Sequence, residues 1–306
     1  MIHIINTLRR PLRNVLTLAL LASAASAVAA QEHKMKLDLF SGFTFDFRDI
    51  NYYSQYDLLI RLTPGFRFDM GNHFELTGQA RVTVLNQYEE LAAGSSVVSL
   101  SNLALSKQFR LGDFYGRLSG GVFSKDRYGL DLKAFYPVTR WLAFEAQLGC
   151  TGRFYIDGGI NASSMNRLTG TLGGDIYLTR WNTQLRGRVG RYIYEDYGVE
   201  CSVMRHFRHT TVGLFGLWND YDGYNAGFTV TIMLPPYRRS GRFLTVRPAS
   251  NFSLNYGVLS HPYTNQMYDT DPEQNLRDGW FSRDLLQWGA ATMQPDFTIK
   301  GEEAAL

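Results

Sequence analysis

Few residues in this chain could do covalent chemistry. Ser202 and His206 share one side of an alternating run, and His209 follows shortly after. A hydrolytic pair needs a nucleophile and a base within hydrogen-bond reach, plus an acid to orient the base. Residues i and i+4 of one strand lie ~13 Å apart at about 3.3 Å per residue, so Ser202 and His206 are not partners. His33, His73 and His261 lie near segment ends or turns and show no metal-ligand spacing. Cys150 and Cys201 stand on the apolar sides of separate, non-adjacent runs, which predicts two free thiols rather than a bridge. The expectation is a protein that is not an enzyme, with no catalytic residue, no cofactor and no metal.

What remains is charge at strand spacing. Arg61, Arg67, Arg81, Arg117, Lys133, Arg186 and Arg188 are matched by Asp57, Asp69, Glu75, Asp131, Glu145, Asp175 and Glu200. Arg61, Arg67, Arg81, Arg117, Lys133, Glu145, Asp175, Arg186, Arg188 and Glu200 are the candidate lining of an interior. Two kinds of chemistry fit them. One is a set of ion pairs that fills a narrow lumen. The other is a polar conduit that binds acidic or neutral sugars by charge and by Tyr or Trp stacking. The first is preferred, because twelve strands enclose only a modest interior once long side chains occupy it. Tyr52, Tyr53 and Tyr56, in the first long link, are either outer-loop glycan contacts or part of an interfacial belt.

The elements that position these charges are strands. From 197 to 236 the chain reads as three runs joined by tight turns, with Val199, Cys201 and Val203 opposing Gly198, Glu200, Ser202 and His206. Phe228, Val230, Ile232 and Leu234 likewise oppose Gly227, Thr229 and Thr231. Successive strand residues point to opposite faces, so each run has one apolar and one polar side. The pattern starts at Leu37, Leu39, Phe43 and Phe45 against Asp38, Gly42, Thr44 and Asp46, and gives twelve runs in all. Two irregularities are expected to be bulges. Pro64 removes a ladder donor, and Leu103 and Leu105 have the opposite parity to Val98 and Leu100.

Residues 1–30 read as a signal peptide. Arg9, Arg10 and Arg13 precede an apolar stretch ending in Val28-Ala29-Ala30, which falls short of the ~20 residues of a spanning helix. Removing these residues leaves 28 basic against 28 acidic residues, so nothing argues for nucleic acid. The 29 glycines and 18 tyrosines against only 9 prolines suit many strands with tight turns.

A soluble sandwich would bury the apolar faces and solvate the charged ones. Three features favour the inverse, an all-β transmembrane antiparallel up-and-down β-barrel of about twelve strands. Most runs reach ten or more residues, the length that crosses a bilayer when tilted. Tyr136, Trp141, Tyr177, Trp181, Tyr194, Tyr197, Trp218 and Tyr224 sit at run ends, where interfacial girdles form. Links after even-numbered runs are short, whereas 48–56, 86–96 and 152–166 are long, as periplasmic turns and outer loops are. The organisation expected is a signal peptide (1–30), a barrel in the outer membrane of a Gram-negative bacterium (31–236) and a periplasmic C-terminal extension (237–306). Outer-membrane lipid is the first partner this implies.

One set of residues resembles a known family. Gly190, Tyr194-Glu195-Asp196, Gly198, Arg205-His206-Phe207, Gly213, Phe215, Gly227 and Leu234-Pro235-Pro236 look like the barrel end of the YjbH/GfcD family. Val246-Arg247-Pro248-Ala249-Ser250-Asn251-Phe252 and the Trp-containing tail resemble continuations in members from Bacteroidetes-type bacteria. The similarity covers roughly 185–260. It implies an outer-membrane β-barrel accessory to export or assembly of exopolysaccharide and capsule, with polysaccharide and periplasmic export components as partners. A small passive porin and a lipid-modifying enzyme are the alternatives; the second has no supporting motif.

Overall fold

The computed structural model describes residues 36–48, 57–86, 98–111, 113–139, 141–156, 160–207, 210–220, 223–233, 239–240, 243–249, 251–257 and 267–271. Sixteen strands form one sheet system. They are β1 (Lys36–Arg48), β2 (Asp57–Gly71), β3 (Phe74–Asn86), β4 (Val98–Leu111), β5 (Phe114–Phe123), β6 (Arg127–Thr139), β7 (Leu142–Ile156) and β8 (Ile160–Ala162). Then follow β9 (Arg167–Leu178), β10 (Thr183–Arg191), β11 (Tyr197–His206), β12 (Thr210–Asn219), β13 (Gly223–Met233), β14 (Arg239–Ser240), β15 (Leu244–Pro248) and β16 (Asn251–Gly257). The only helical turn among the described residues is Thr179–Trp181.

The count differs from the expected twelve because β8 lies within the 152–166 link and β14 to β16 lie beyond residue 236. From β1 to β13 each long strand pairs antiparallel with the next, β7 meeting β9 directly while β8 folds back on β7. The residues after 236 are therefore not a separate extension up to 257. β16 pairs antiparallel with β13, and both β15 and β16 lie parallel to β1. β1 also pairs with β2 along its whole length, so the ladder returns to the strand from which it set out.

Tight turns fix the register. Asn72 and His73, between the paired Gly71 and Phe74, both have positive φ (51° and 63°), the geometry that matches the twist of a two-residue hairpin, and Lys125 and Asp126 (58° and 56°) lie in the three-residue link between the paired Phe123 and Arg127. The parity change in β4 is a bulge: Gln79 pairs with Asn102 and Ala80 with Leu100, leaving Ser101 over. Pro64 makes no bulge. It stays in register opposite Ser41, and the irregularities in β2 fall instead at Ile60/Arg61 and Asp69/Gly71.

Burial is inverted relative to a water-soluble protein. Among the described residues, twenty-two polar or charged residues are buried against nine hydrophobic ones. Thr169, Thr171 and Asp175 of β9 are buried, while Leu168, Leu172 and Ile176 between them are exposed, Leu172 at 60%. Among the described residues, buried apolar side chains cluster in two small groups, Phe135 with Ala143 and Ala104 with Phe123, Ile193 and Tyr268. The exposed aromatics collect at the two ends of the strands: Tyr136, Trp141 and Trp181 at one, Tyr194, Tyr197, Trp218 and Tyr224 at the other. Tyr177 is the exception to the expected girdle. It shares the parity of Asp175 and packs inside against the Phe135 group. Cys150 and Cys201 are free, on β7 and β11, with Cys201 exposed.

Gly121 and Gly129 face each other across β5 and β6 with φ of +149° and +150°. A Cβ on Gly129 would lie 2.2 Å from the Cys150 carbonyl oxygen, whereas one on Gly187 would meet nothing within 4 Å. Gly129→Ala is therefore expected to cost about 1–3 kcal/mol through backbone strain. Gly187→Ala should leave the urea midpoint of the folded protein unchanged.

Candidate functional site

The polar faces of the strands meet inside the ring as two charged groups. In the first, β2, β3 and β5 present Arg67, Glu75 and Arg117. Arg67 Nε lies 3.2 Å from Glu75 Oε1, and Arg117 Nη2 lies 3.5 Å from the same oxygen. Arg117 also donates to Ser106 Oγ (3.2 Å), which is 2.9 Å from Ser119 Oγ. Asp271, far along the chain, completes the group: its carboxylate receives Arg67 Nη2 at 3.0 Å and Arg117 Nη1 at 2.8 Å.

The second group belongs to β7, β9, β10 and β11. Arg186 Nε pairs with Asp175 Oδ1 at 2.8 Å, and Arg188 Nη2 with Glu145 Oε1 at 2.7 Å. Glu200 lies further from Arg188, at 3.8 Å. Gln184 donates to Asp175 Oδ1 (2.6 Å), and its own carbonyl lies 3.1 Å from His206 Nε2. His206 Nδ1 meets Thr211 Oγ1 at 2.9 Å. The buried imidazole thus meets a glutamine and a threonine at its two ring nitrogens. Ser202 lies across the ladder from Arg186 and Phe215, not against His206.

Of the interior charges expected from sequence, Arg67 and Arg117 are brought together in the first group. Glu145, Asp175, Arg186, Arg188 and Glu200 form the second. Lys133 sits opposite Arg117 and Gln147 in the ladder, Arg61 on β2 and Arg81 on β3. Tyr52, Tyr53 and Tyr56 lie outside the described residues. Two kinds of interior residue were not among the expected lining. Tyr268 and Asp271 sit in an aperiodic stretch. The neutral Thr77, Asn102, Ser106, Ser119, Thr151 and Thr169 carry no charge to draw attention, although alternation places them inward.

The stretch 267–271 lies within the ring. Tyr268 donates to Asp131 Oδ1 at 2.8 Å and stacks on Phe123, with centroids 5.1 Å apart and planes at 9°. Asp131 also accepts from Gln147 Nε2 at 2.8 Å. The backbone of Asp269 is tied to Ser124 (Ser124 N to Asp269 O, 3.0 Å) and accepts from Asn102 Nδ2 at 3.3 Å. At this end the β10–β11 turn folds inward, burying Tyr192, Ile193 and Asp196, and Arg127 Nη2 donates to the Ile193 carbonyl at 2.9 Å. Burial pushes the Tyr192 phenol in that turn up to about 12, so it stays neutral. Among the described residues no group of His, Cys, Asp and Glu could hold a metal ion.

Fold and interior together define a class: an all-β, up-and-down sheet whose charged, ion-paired face is enclosed and whose apolar face is outermost. No family model matches the chain, and no curated protein does. Solved structures similar to it include Salmonella typhi OmpF in complex with daunomycin, with 7% identity over 67% of this chain and 87% of that one at a TM-score of 0.42. Pseudomonas aeruginosa OccK2 has 10% identity over 65% of this chain and 60% of its own, at 0.33. A loop-deletion mutant of OmpT, an outer membrane protein of Vibrio cholerae, has 7% identity over 65% and 88%, at 0.34. No function is carried over from likenesses at this level.

The two groups differ in what a single substitution should do. Asp175→Ala removes the 2.8 Å partner of Arg186, which is 7% exposed and lies 4.0 Å from Glu145, and should cost about 3–5 kcal/mol because a buried ion pair is broken from one side. Glu200→Ala removes a long, partly exposed pair and should cost about 1 kcal/mol or less. Urea unfolding of the two variants in detergent checks the ranking.

Proposed function

We propose that the chain is a non-catalytic β-barrel of a Gram-negative outer membrane, accessory to the export or assembly of exopolysaccharide or capsule. The observation that carries the barrel part is the inverted burial: charged residues enclosed, and Leu, Val and Phe outermost on strand after strand. Water does not reward that arrangement, and hydrocarbon does, provided every backbone N–H and C=O is paired in a sheet without open edges. The return of the ladder to β1 supplies that pairing. β5 and β10 to β13 contain 9 to 11 residues, the span of a tilted membrane strand. The aromatics at their two ends fit two membrane interfaces.

The polysaccharide role rests on the resemblance of residues 185–260 to the YjbH/GfcD family. Polysaccharide and periplasmic export components are its partners, and outer-membrane lipid is its solvent. A passive porin is the weaker reading, because ion pairs and the 267–271 stretch occupy the interior. A lipid-modifying enzyme is weaker still, given the neutral partners of His206.

Two measurements test the two parts separately. Leu172→Arg on the outer face should cost about 2–4 kcal/mol in lipid if that residue meets the bilayer near its midplane, and nearly nothing in a water-facing sheet. Deletion of the gene in a native strain should reduce surface polysaccharide; unchanged capsule would refute the export role while leaving the barrel intact.

A further inference from the structure

We propose that Arg67 and Arg117 form a carboxylate-binding site inside the barrel. Asp271 holds this site as an internal plug, and vacating it opens an anion-selective passage. The inference rests on the barrel reading and goes beyond it.

The site is built like a receptor. Two guanidinium groups from different strands converge on one carboxylate, Arg67 Nη2 reaching both of its oxygens (3.0 and 3.2 Å) and Arg117 Nη1 one of them (2.8 Å). The Asp271 side chain is fully enclosed, and the two arginine side chains are 10% and 12% exposed. Of the four groups in contact, Arg67, Glu75 and Arg117 are fixed in the sheet, whereas Asp271 belongs to a stretch outside any strand. Taking Asp271 away removes the carboxylate on which the two arginines converge. The second charged group differs, since Asp175, Glu145, Arg186 and Arg188 are all strand residues.

The stretch has a fitted socket as well. Gly149 leaves the space that the Tyr268 phenol enters; a Cβ there would lie 1.5 Å from its oxygen and 2.9 Å from Thr169 Oγ1. Tyr268 and Asp271 are both about 1% exposed, so they fill interior volume rather than lie along a rim. What ties them in is mainly side-chain contact and a few bonds at Asp269, not a ladder. A strand would leave only with its neighbours, whereas residues 267–271 pair with no strand in a ladder. The vacated site then offers a paired-arginine clamp, whose geometry suits a carboxylate. That carboxylate belongs either to a small free acid or to a uronic acid unit of a polysaccharide.

The test compares the full-length wild type with Asp271→Asn, Tyr268→Ala and Gly149→Val in planar bilayers under a KCl gradient. Each protein is first checked for heat-modifiable gel mobility. The wild type should conduct little, and all three variants several-fold more, with a reversal potential favouring chloride. Adding Arg67→Gln and Arg117→Gln to Asp271→Asn should abolish the anion preference. Sodium acetate and oligogalacturonate are then added to the opened Asp271→Asn protein. Block by both supports a general carboxylate site, and block by the oligomer alone supports a polysaccharide one. Folded variants that conduct like the wild type, an opened pore that prefers potassium, or indifference to both acids overturns the plug and its site. A wild type without heat-modifiable mobility overturns the barrel reading, and the plug with it.

Discussion

An enclosed guanidinium or carboxylate must find a partner of opposite charge, and an apolar strand face must find something other than water. In this chain both demands fall on the same strands, residue by residue. A two-residue period sends Asp175 inward and Ile176 outward, so no rotation of the strand satisfies both demands in water. Closing the ladder around the charges and setting the apolar faces against lipid satisfies them together. The short turns, the register and the placement of the end aromatics all follow from keeping that alternation in phase around the ring.

The interior then becomes an electrostatic problem. Desolvation of a charge costs several kcal/mol, which a partner recovers only with good geometry and saturated hydrogen bonding. The β7–β11 side meets this condition locally, with Gln184 adding a neutral donor to Asp175 and linking it to His206. On the β2–β5 side Arg67 and Arg117 share Glu75, and Asp271 adds a carboxylate on which both converge. A stretch that the ladder does not hold thus completes the charge network that the ladder builds.

Much of this was legible in the sequence because strand alternation is a local signal. The inward parity of Arg67, Arg117, Asp175 and Arg186 follows from counting, and so does the bulge near Ser101. Counting also assigns Tyr177 to the interior, although its position near a run end made it look like a girdle residue. The parallel seam was not legible. β15 and β16 are short, and nothing local says that they lie beside β1, some two hundred residues earlier. Nor was the arrival of Tyr268 and Asp271. Their partners, Asp131, Arg67 and Arg117, are distant in sequence, and the aperiodic sequence around them has no pattern from which an enclosed position could be read.

The central claim is which side of each strand meets hydrocarbon. Nitroxide labels placed one at a time at 169 to 176 of β9, in protein reconstituted into liposomes, report it directly through relaxation by lipid-soluble oxygen and by a water-soluble nickel chelate. The inverted barrel predicts a two-residue oscillation, with oxygen contact peaking at 170, 172, 174 and 176 and weak contact at the positions between. Strong nickel contact at 172 and 176, or oxygen contact at 171 and 175 instead, would place water or protein where the account places lipid.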